Sequence, residues 1–109
     1  MGGICGFLDL GDKSLLKRMS QEISHRGFHE DFFVDKYVGM CSRSITKEDG
    51  LGKNEDGSLR VAFDGEIFNV EDLRGDLEKR GHSFSSSCTA ELIAHLYEEH
   101  GYSLVDELR

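Results

Sequence analysis

The sequence predicts a single α+β domain, and three observations support this assignment. The chain has 109 residues, enough for one hydrophobic core but too few for two domains. Segments with alternating apolar residues, typical of strands, occur among segments whose apolar residues recur every three to four positions, as in helices. Polar, glycine-containing stretches separate these segments, and we find no internal repeat. The predicted order is strand, helix, strands, loop, strand, helix, helix.

The first half of the chain is predicted to contain a strand, a helix, a hairpin and a loop. The strand covers the apolar run from Ile4 to Leu10, and the helix begins near Asp12 and ends at Gly27. One helical face carries a regularly spaced set of apolar residues: Leu15, Leu16, Met19 and Ile23. The hairpin has strands at 32–34 and 37–41 that turn near Asp35 and Lys36. A polar loop follows from Thr46 to Gly57, and its Asp56-Gly57 pair indicates a turn.

The second half is predicted to contain one strand and two helices. Alternating apolar residues predict a half-buried strand at Leu59, Val61 and Phe63. Asn69 is suited to cap the next helix, which ends before Gly81. The inward faces of the two helices are assigned to Leu73, Leu77, Leu92, Ile93, Leu96 and Tyr97. Gly101 ends the second helix, and Leu104, Val105 and Leu108 indicate one further turn.

Charge and hydropathy exclude two classes of partner. The formal net charge of −8 argues against a nucleic-acid interface, which requires clustered Lys and Arg to neutralise phosphates. No apolar run approaches the roughly 20 residues of a membrane-spanning helix, and no basic-then-apolar leader precedes the first strand. The sequence therefore predicts a cytoplasmic protein without nucleic-acid or membrane partners.

The spacing of potential metal ligands predicts no metal site and no cofactor. The three cysteines, Cys5, Cys41 and Cys88, are far apart and form no CxxC pair. The five histidines are also scattered, and His95 and His100 are too far out of phase to share a helical face.

Five motifs occur in a fixed order along the chain: MGGICGF, HRG, DGEIFN, LRGDLEKRGHSF and AELIAHLYEEHG. In this order they resemble the class II glutamine amidotransferases of the asparagine-synthetase type. The resemblance covers the whole chain, residues 1–109, as the N-terminal half of the family domain. It implies a partial N-terminal-nucleophile hydrolase fold, in which an antiparallel sheet is covered by helices.

The resemblance also implies a chemistry for active members of the family. The cysteine after the initiator Met becomes the N-terminus, and its thiol attacks the glutamine amide with its own α-amine as the base. An asparagine side chain and a glycine N–H stabilise the oxyanion. An arginine holds the substrate carboxylate, and an aspartate holds the substrate amine.

Two catalytic positions depart from the family pattern. Gly2 occupies the position of the nucleophile and has no side chain that could attack a substrate. Asp64 occupies the position of the oxyanion asparagine, and an ionised carboxylate is only an acceptor. Gly65 and Glu66 are retained, and we interpret them as a tight turn and a helix-entry contact. The sequence thus indicates no intact catalytic residue.

The two substrate-holding positions have also changed. Ser44 aligns with the carboxylate-binding arginine, and a hydroxyl cannot replace a charged two-pronged guanidinium. Arg43 is adjacent, but neighbouring side chains on a strand point to opposite faces. Thr89 aligns with the aspartate that binds the amine, and it could still cap the helix. The vestigial pocket predicted from the sequence comprises Arg43, Ser44, Asp64, Gly65, Glu66 and Thr89.

Three functional hypotheses follow. The first is a non-catalytic module with a structural or regulatory role, which works with an ATP-dependent synthetase-type partner. The second is a sensor for a small, amino-acid-like ligand, whose cationic group Asp64 and Glu66 would favour. The third is a fragment of an active glutamine-hydrolysing amidotransferase.

Association with a second copy, or with another polypeptide that supplies the missing half of the domain, is a further expectation. The alternative is that the short chain closes into a smaller domain. The family domain is about twice as long, so unpaired edges and exposed apolar residues are expected near Phe32, Val34, Leu59, Val61 and Phe63.

Overall fold

A computed structural model describes residues 2–9, 11–35, 37–45 and 50–109. Within these ranges there are five strands: β1 (Gly2–Leu8), β2 (His29–Val34), β3 (Val38–Ser44), β4 (Leu51–Lys53) and β5 (Arg60–Ala62). There are three α-helices in the same ranges: α1 (Lys13–Glu22), α2 (Val70–Lys79) and α3 (Thr89–His100). Two 3-10 segments cover Ser24–Arg26 and Gly101–Glu107. The domain is α+β with antiparallel sheets, as predicted.

The larger sheet has three antiparallel strands in the order β1-β3-β2. The predicted hairpin is confirmed, and both of its strands extend further than the apolar pattern indicated. Asp35 N–H donates to the carbonyl of Val38 across 2.8 Å where the hairpin turns, and Lys36 lies outside the described residues. Gly2 lies opposite Ser44 in the register of β1 and β3. The first strand begins two residues earlier than predicted, and Leu10 is not among the described residues.

Helix α1 covers one face of this sheet. The side chain of Asp12 accepts from the N–H of Leu15 across 2.8 Å and so caps the helix start. Leu16 and Ser20 are fully buried on the inner face. The helix ends at Glu22 with Ile23 as its C-cap, so the prediction that Gly27 terminates it was wrong. Gly27 instead allows close chain approach, because a Cβ there would lie 2.4 Å from the carbonyl carbon of Ser44.

A second sheet consists of β4 and β5 alone among the described residues. The prediction of a continuous loop up to Gly57 was therefore wrong at Leu51–Lys53, where the chain pairs with Arg60–Ala62. Asn54 organises the turn, since its side-chain oxygen accepts from Leu59 N–H across 3.0 Å. Gly57 has a φ of 74°, consistent with the predicted turn at this position. Residues 46–49 of that predicted loop lie outside the described ranges.

The second core lies between α2 and α3. Its four buried leucines, two from each helix, are Leu73, Leu77, Leu92 and Leu96. Burial of one such side chain is worth about 1.5–3 kcal/mol, so this cluster is a main source of stability. Ile93 and Tyr97 are only half-buried, whereas Glu91 and His95 are buried. The buried face of α3 is wider than its apolar stripe because β4, β5 and α2 all pack against this helix.

Asn69 lies at the N-cap of α2, but its side chain does not cap the helix. Its Nδ2 donates to the carbonyl of Glu107 across 2.8 Å, and its Oδ1 accepts from Arg109 N–H across 2.9 Å. The predicted capping role was wrong because these two backbone groups of the C-terminal segment take up the amide. Asn69 thereby joins the start of α2 to residues about forty positions later.

The exposed apolar surface differs from the expectation. Of the five residues expected there, Val34 is exposed and the other four are half-buried. The large apolar residues that are exposed elsewhere are Ile4, Leu8, Phe28, Tyr37, Ile45, Phe68, Tyr102 and Val105. No described strand pairs with the outer edges of β1 and β2. None of the helices in the described ranges combines the length and apolar character needed to cross a bilayer.

Candidate functional site

A cavity of about 260 Å³ opens where β1 meets the segment that follows β5. Its lining residues are Gly2, Arg26, Arg43, Phe63, Asp64, Gly65 and Glu66. Five of the seven were selected from the sequence. The other two were not: Arg26 was noted only within the HRG motif and Phe63 only as a strand residue, because only the folded chain places them beside Gly2.

Gly2, Asp64 and Arg26 form a connected polar network in this cavity. Gly2 N–H donates to Asp64 Oδ1 across 3.1 Å, and Arg26 Nε donates to the Gly2 carbonyl across 2.6 Å. Arg26 Nη2 lies 3.7 Å from Asp64 Oδ2, with both side chains about one-third exposed. The Asp64 carboxylate, an acceptor-only group, is thus oriented by one backbone donor and one guanidinium. Its charge is compensated within the protein.

Gly2 has no room for a side chain in this conformation. A Cβ at this position would lie 2.4 Å from the carbonyl oxygen of Arg43 and 3.4 Å from Asp64 Oδ1. Real Cβ atoms do not approach a backbone oxygen as closely as 2.4 Å. A side chain at position 2 would therefore force β1 or β3 to shift.

The guanidinium of Arg43 is engaged by other groups of the protein. Its Nε donates to the carbonyl and to the hydroxyl of Ser20, each across 3.0 Å. Nη1 donates to the Gly27 carbonyl across 3.2 Å, and Nη2 lies 2.9 Å from Glu30 Oε2. The side chain of Arg43 therefore joins β3 to α1, to Gly27 and to β2. A substrate carboxylate would have to break these bonds to recruit it.

Ser44 and Thr89 do not line this cavity. Ser44 is buried and borders a separate cavity of about 200 Å³ with His29, Glu30, Asp31 and Ser42. Thr89 is the first residue of α3, and Cys88 occupies the N-cap position. The interpretation of Thr89 as a cap was therefore wrong. Of the predicted pocket, Arg43, Asp64, Gly65 and Glu66 therefore lie at the cavity beside Gly2, whereas Ser44 and Thr89 lie elsewhere.

Cys5, which lies on β1 with Gly2, is not poised for nucleophilic attack. Cys5 lies opposite Cys41 in the β1–β3 register. Burial, followed by the neighbouring Cys41 thiol, raises the pKa of Cys5 to about 11. A nucleophilic cysteine needs the thiolate, so Cys5 remains an unreactive thiol at neutral pH.

Four potential metal ligands meet in a different part of the molecule. Glu55, His82, His95 and Glu98 place one ligand atom each within 4.8 Å of one another. The sequence did not predict this cluster, because its residues come from three separate segments and the spacing of the histidines alone gave no metal-ligand pattern. The available signal was the spacing of His95 and Glu98, which places both on one side of α3.

Sequence comparison identifies the family. A family model described as "Glutamine amidotransferase domain" matches residues 1–109. The chain belongs to this family. It is 34% identical to asparagine synthetase [glutamine-hydrolyzing] 2 of Bacillus subtilis (strain 168), over 99% of this chain and 16% of that protein. It is 38% identical to asparagine synthetase [glutamine-hydrolyzing] 2 of Lotus japonicus, over 99% of this chain and 20% of that protein.

This glutamine amidotransferase domain thus spans one-fifth or less of the length of these two relatives. The comparisons support the family resemblance deduced from the motifs.

Proposed function

We propose that this domain is a non-catalytic amidotransferase-like module with a structural or regulatory role. The observation that carries the proposal is the bond between Gly2 N–H and Asp64 Oδ1, at 3.1 Å. The family pattern assigns the nucleophile to the first of these positions and an oxyanion donor to the second. Here a residue without a side chain and an acceptor-only carboxylate occupy them and bond to each other.

This arrangement opposes each step of glutamine hydrolysis. No side chain at Gly2 can form the covalent intermediate. A tetrahedral oxyanion near Asp64 would meet a negative charge instead of a donor. Loss of a single oxyanion donor already costs about 10²–10³ in rate. In our proposal, Asp64 and Arg26 tie the start of β1 to the segment after β5, and they no longer serve a substrate.

The partner we propose is an ATP-dependent synthetase-type protein in the cytoplasm. The relatives are named asparagine synthetases, and the similarity covers only 16% and 20% of their lengths. The antiparallel sheets and their covering helices fit part of an N-terminal-nucleophile hydrolase fold, and we propose that architecture for the parent domain.

The second candidate function is a small-ligand sensor, because a cavity of about 260 Å³ persists beside Gly2. Arg26 compensates the charge of Asp64, which weakens the expected preference for a cationic ligand. Glutamine and other amino acids should therefore leave the melting temperature unchanged. A concentration-dependent rise would favour the sensor, since a ligand that binds only the native state stabilises it.

Release of glutamate and ammonia from glutamine tests the leading proposal. We expect the purified protein to give no more product than a heat-inactivated sample, while an active amidotransferase gives turnover under the same conditions. Product formation that rises in proportion to protein concentration would overturn the proposal.

A further inference from the structure

The cluster of Glu55, His82, His95 and Glu98 joins three segments of the chain. Glu55 lies in the turn between β4 and β5, His82 follows α2, and His95 and Glu98 lie on α3. It shares no residue with the cavity beside Gly2. The side chains of His82 and His95 are 8% and 0% exposed, whereas Glu55 and Glu98 are 39% and 35% exposed. Two buried imidazoles therefore face a solvent-accessible pair of carboxylates.

Two further carboxylates fix the orientation of the imidazole rings. Glu99 Oε1 lies 2.7 Å from His82 Nε2, and Glu91 Oε2 lies 3.2 Å from His95 Nε2. An ionised carboxylate can only accept, so each Nε2 must carry the hydrogen. In a neutral imidazole the lone pair is then on Nδ1. Both Nδ1 lone pairs are thus directed into the cluster.

These lone pairs face one another and a carboxylate. His82 Nδ1 and His95 Nδ1 are 3.0 Å apart. Glu55 Oε2 lies 3.3 Å from the first, and Glu55 Oε1 lies 3.1 Å from the second. Acceptors this close repel each other unless a proton or a cation lies between them. The arrangement therefore requires either a shared proton or a bound metal ion between these groups.

The shortest distances in the cluster are close to the spacing of ligands around a tetrahedral ion. Bonds of about 2.0–2.1 Å to nitrogen and oxygen place neighbouring ligand atoms of a tetrahedron about 3.3 Å apart. The two Nδ1 atoms are 3.0 Å apart, the two Glu55 oxygens lie 3.1 and 3.3 Å from them, and Glu98 Oε1 lies 3.8 Å from His95 Nδ1. One ligand atom from each of the four residues lies within 4.8 Å of the others. Small rotations of the two exposed glutamates would complete the geometry.

We propose that Glu55, His82, His95 and Glu98 bind a Zn²⁺ ion through two imidazole nitrogens and two carboxylate oxygens. Imidazole and carboxylate ligands suit this borderline ion, and four protein ligands with no open position are typical of a structural site. Glu91 and Glu99 act as the outer carboxylates that orient metal-binding histidines. Zn²⁺ bound here would fasten the β4–β5 turn and the residue after α2 to α3.

Titration of the chelator-treated protein with ZnCl2 tests this proposal. We expect one ion per chain and a melting temperature that rises with ZnCl2 concentration. CoCl2 should give the visible absorption of tetrahedral Co²⁺. The variants Glu55→Gln and Glu98→Gln remove exposed ligands without disturbing the core, and each should weaken affinity by at least about tenfold. Glu78→Gln, an exposed change on α2 outside the cluster, should leave affinity unchanged.

Imidazole ¹⁵N spectra provide a readout that does not depend on a variant. Zn²⁺ should shift the Nδ1 signals of His82 and His95 and leave exposed His25 unchanged. Equal affinity in all three variants would indicate adventitious binding to surface side chains and overturn the proposal. The absence of binding at micromolar ZnCl2 would also overturn the proposal. The same holds if the Nδ1 signals of His82 and His95 still show an imidazolium in the presence of ZnCl2.

Discussion

Gly2 N–H and Asp64 Oδ1 are joined by a hydrogen bond of 3.1 Å across 62 positions of sequence. It links the first residue of β1 to the segment between β5 and α2. Arg26 reinforces the link, since it bonds the Gly2 carbonyl and lies 3.7 Å from the same carboxylate. The two positions at which we predicted a loss of catalytic residues are thus in direct contact. Their changes are consistent with one another, because the carboxylate satisfies a backbone donor.

Gly2→Cys alone should not create glutaminase activity. The new thiol would face Asp64, and no described arginine side chain is free to hold a substrate carboxylate in this cavity, because Arg26 and Arg43 are both engaged. We also expect the variant to be less stable than the parent, because its Cβ would lie 2.4 Å from the Arg43 carbonyl oxygen. Glutamate formation and thermal unfolding measure the two effects.

Gly75→Ala is the matched control for that change. A Cβ at Gly75 has nothing within 4 Å, and the residue lies inside α2. Replacement of a helical glycine by alanine should stabilise the domain by about 0.5–1 kcal/mol.

Rapid labelling of Gly2→Cys by a glutamine-analogue electrophile, without loss of stability, would contradict our placement of the site.

Cys5 should resist alkylation at neutral pH. Burial and the Cys41 thiol raise its pKa from 9.0 to about 11, so the thiolate is scarce until the pH approaches that value. The rate of reaction with iodoacetamide should therefore rise steeply only above about pH 9–10, later than for a free cysteine. Mass spectrometry of the modified peptide gives the rate at each pH. A profile that levels off near pH 8.5 would refute the assignment.

Asn69→Ala should lower the free energy of unfolding by about 1 kcal/mol, because two exposed hydrogen bonds to the C-terminal segment are lost. Asn69→Ser separates this role from helix capping. Serine is a good N-cap residue but is too short to reach both Glu107 and Arg109. If the contact with the C-terminal segment matters, serine should be no better than alanine in urea unfolding. Full rescue by serine would show that capping is the important role.

Self-association through β1 is the fourth prediction. Ile4 and Leu8 lie on one face of this strand and are 45% and 79% exposed, and no described strand pairs with its outer edge. We expect the molar mass from light scattering to rise with protein concentration. Leu8→Lys should suppress the rise, whereas Tyr102→Lys, at an exposed apolar residue of the 3-10 segment, should not. A monomer at every concentration would end this prediction.

The sequence predicted the parts of the fold that depend on local pattern. Helix α1, the β2–β3 hairpin and the leucines between α2 and α3 follow from apolar spacing, because that spacing determines which face of an element avoids water. The apolar pattern did not predict strand β4 at Leu51–Lys53, because three residues are too few to show a period. The sequence also misassigned Gly27 and Asn69, since their roles depend on Ser44 and on the C-terminal segment, which are distant in sequence.

Residue identity by itself determined that no nucleophile occupies position 2, that a carboxylate occupies position 64, and that the chain resembles the amidotransferase family. Only the tertiary structure decided that Arg43 is directed into the protein, that Ser44 and Thr89 lie away from the cavity, and that Glu55, His82, His95 and Glu98 meet. The chemical type of a side chain is a property of one residue and is given directly by the sequence. The proximity of two side chains arises from the packing of segments that are far apart in the chain, and no local sequence pattern predicts it.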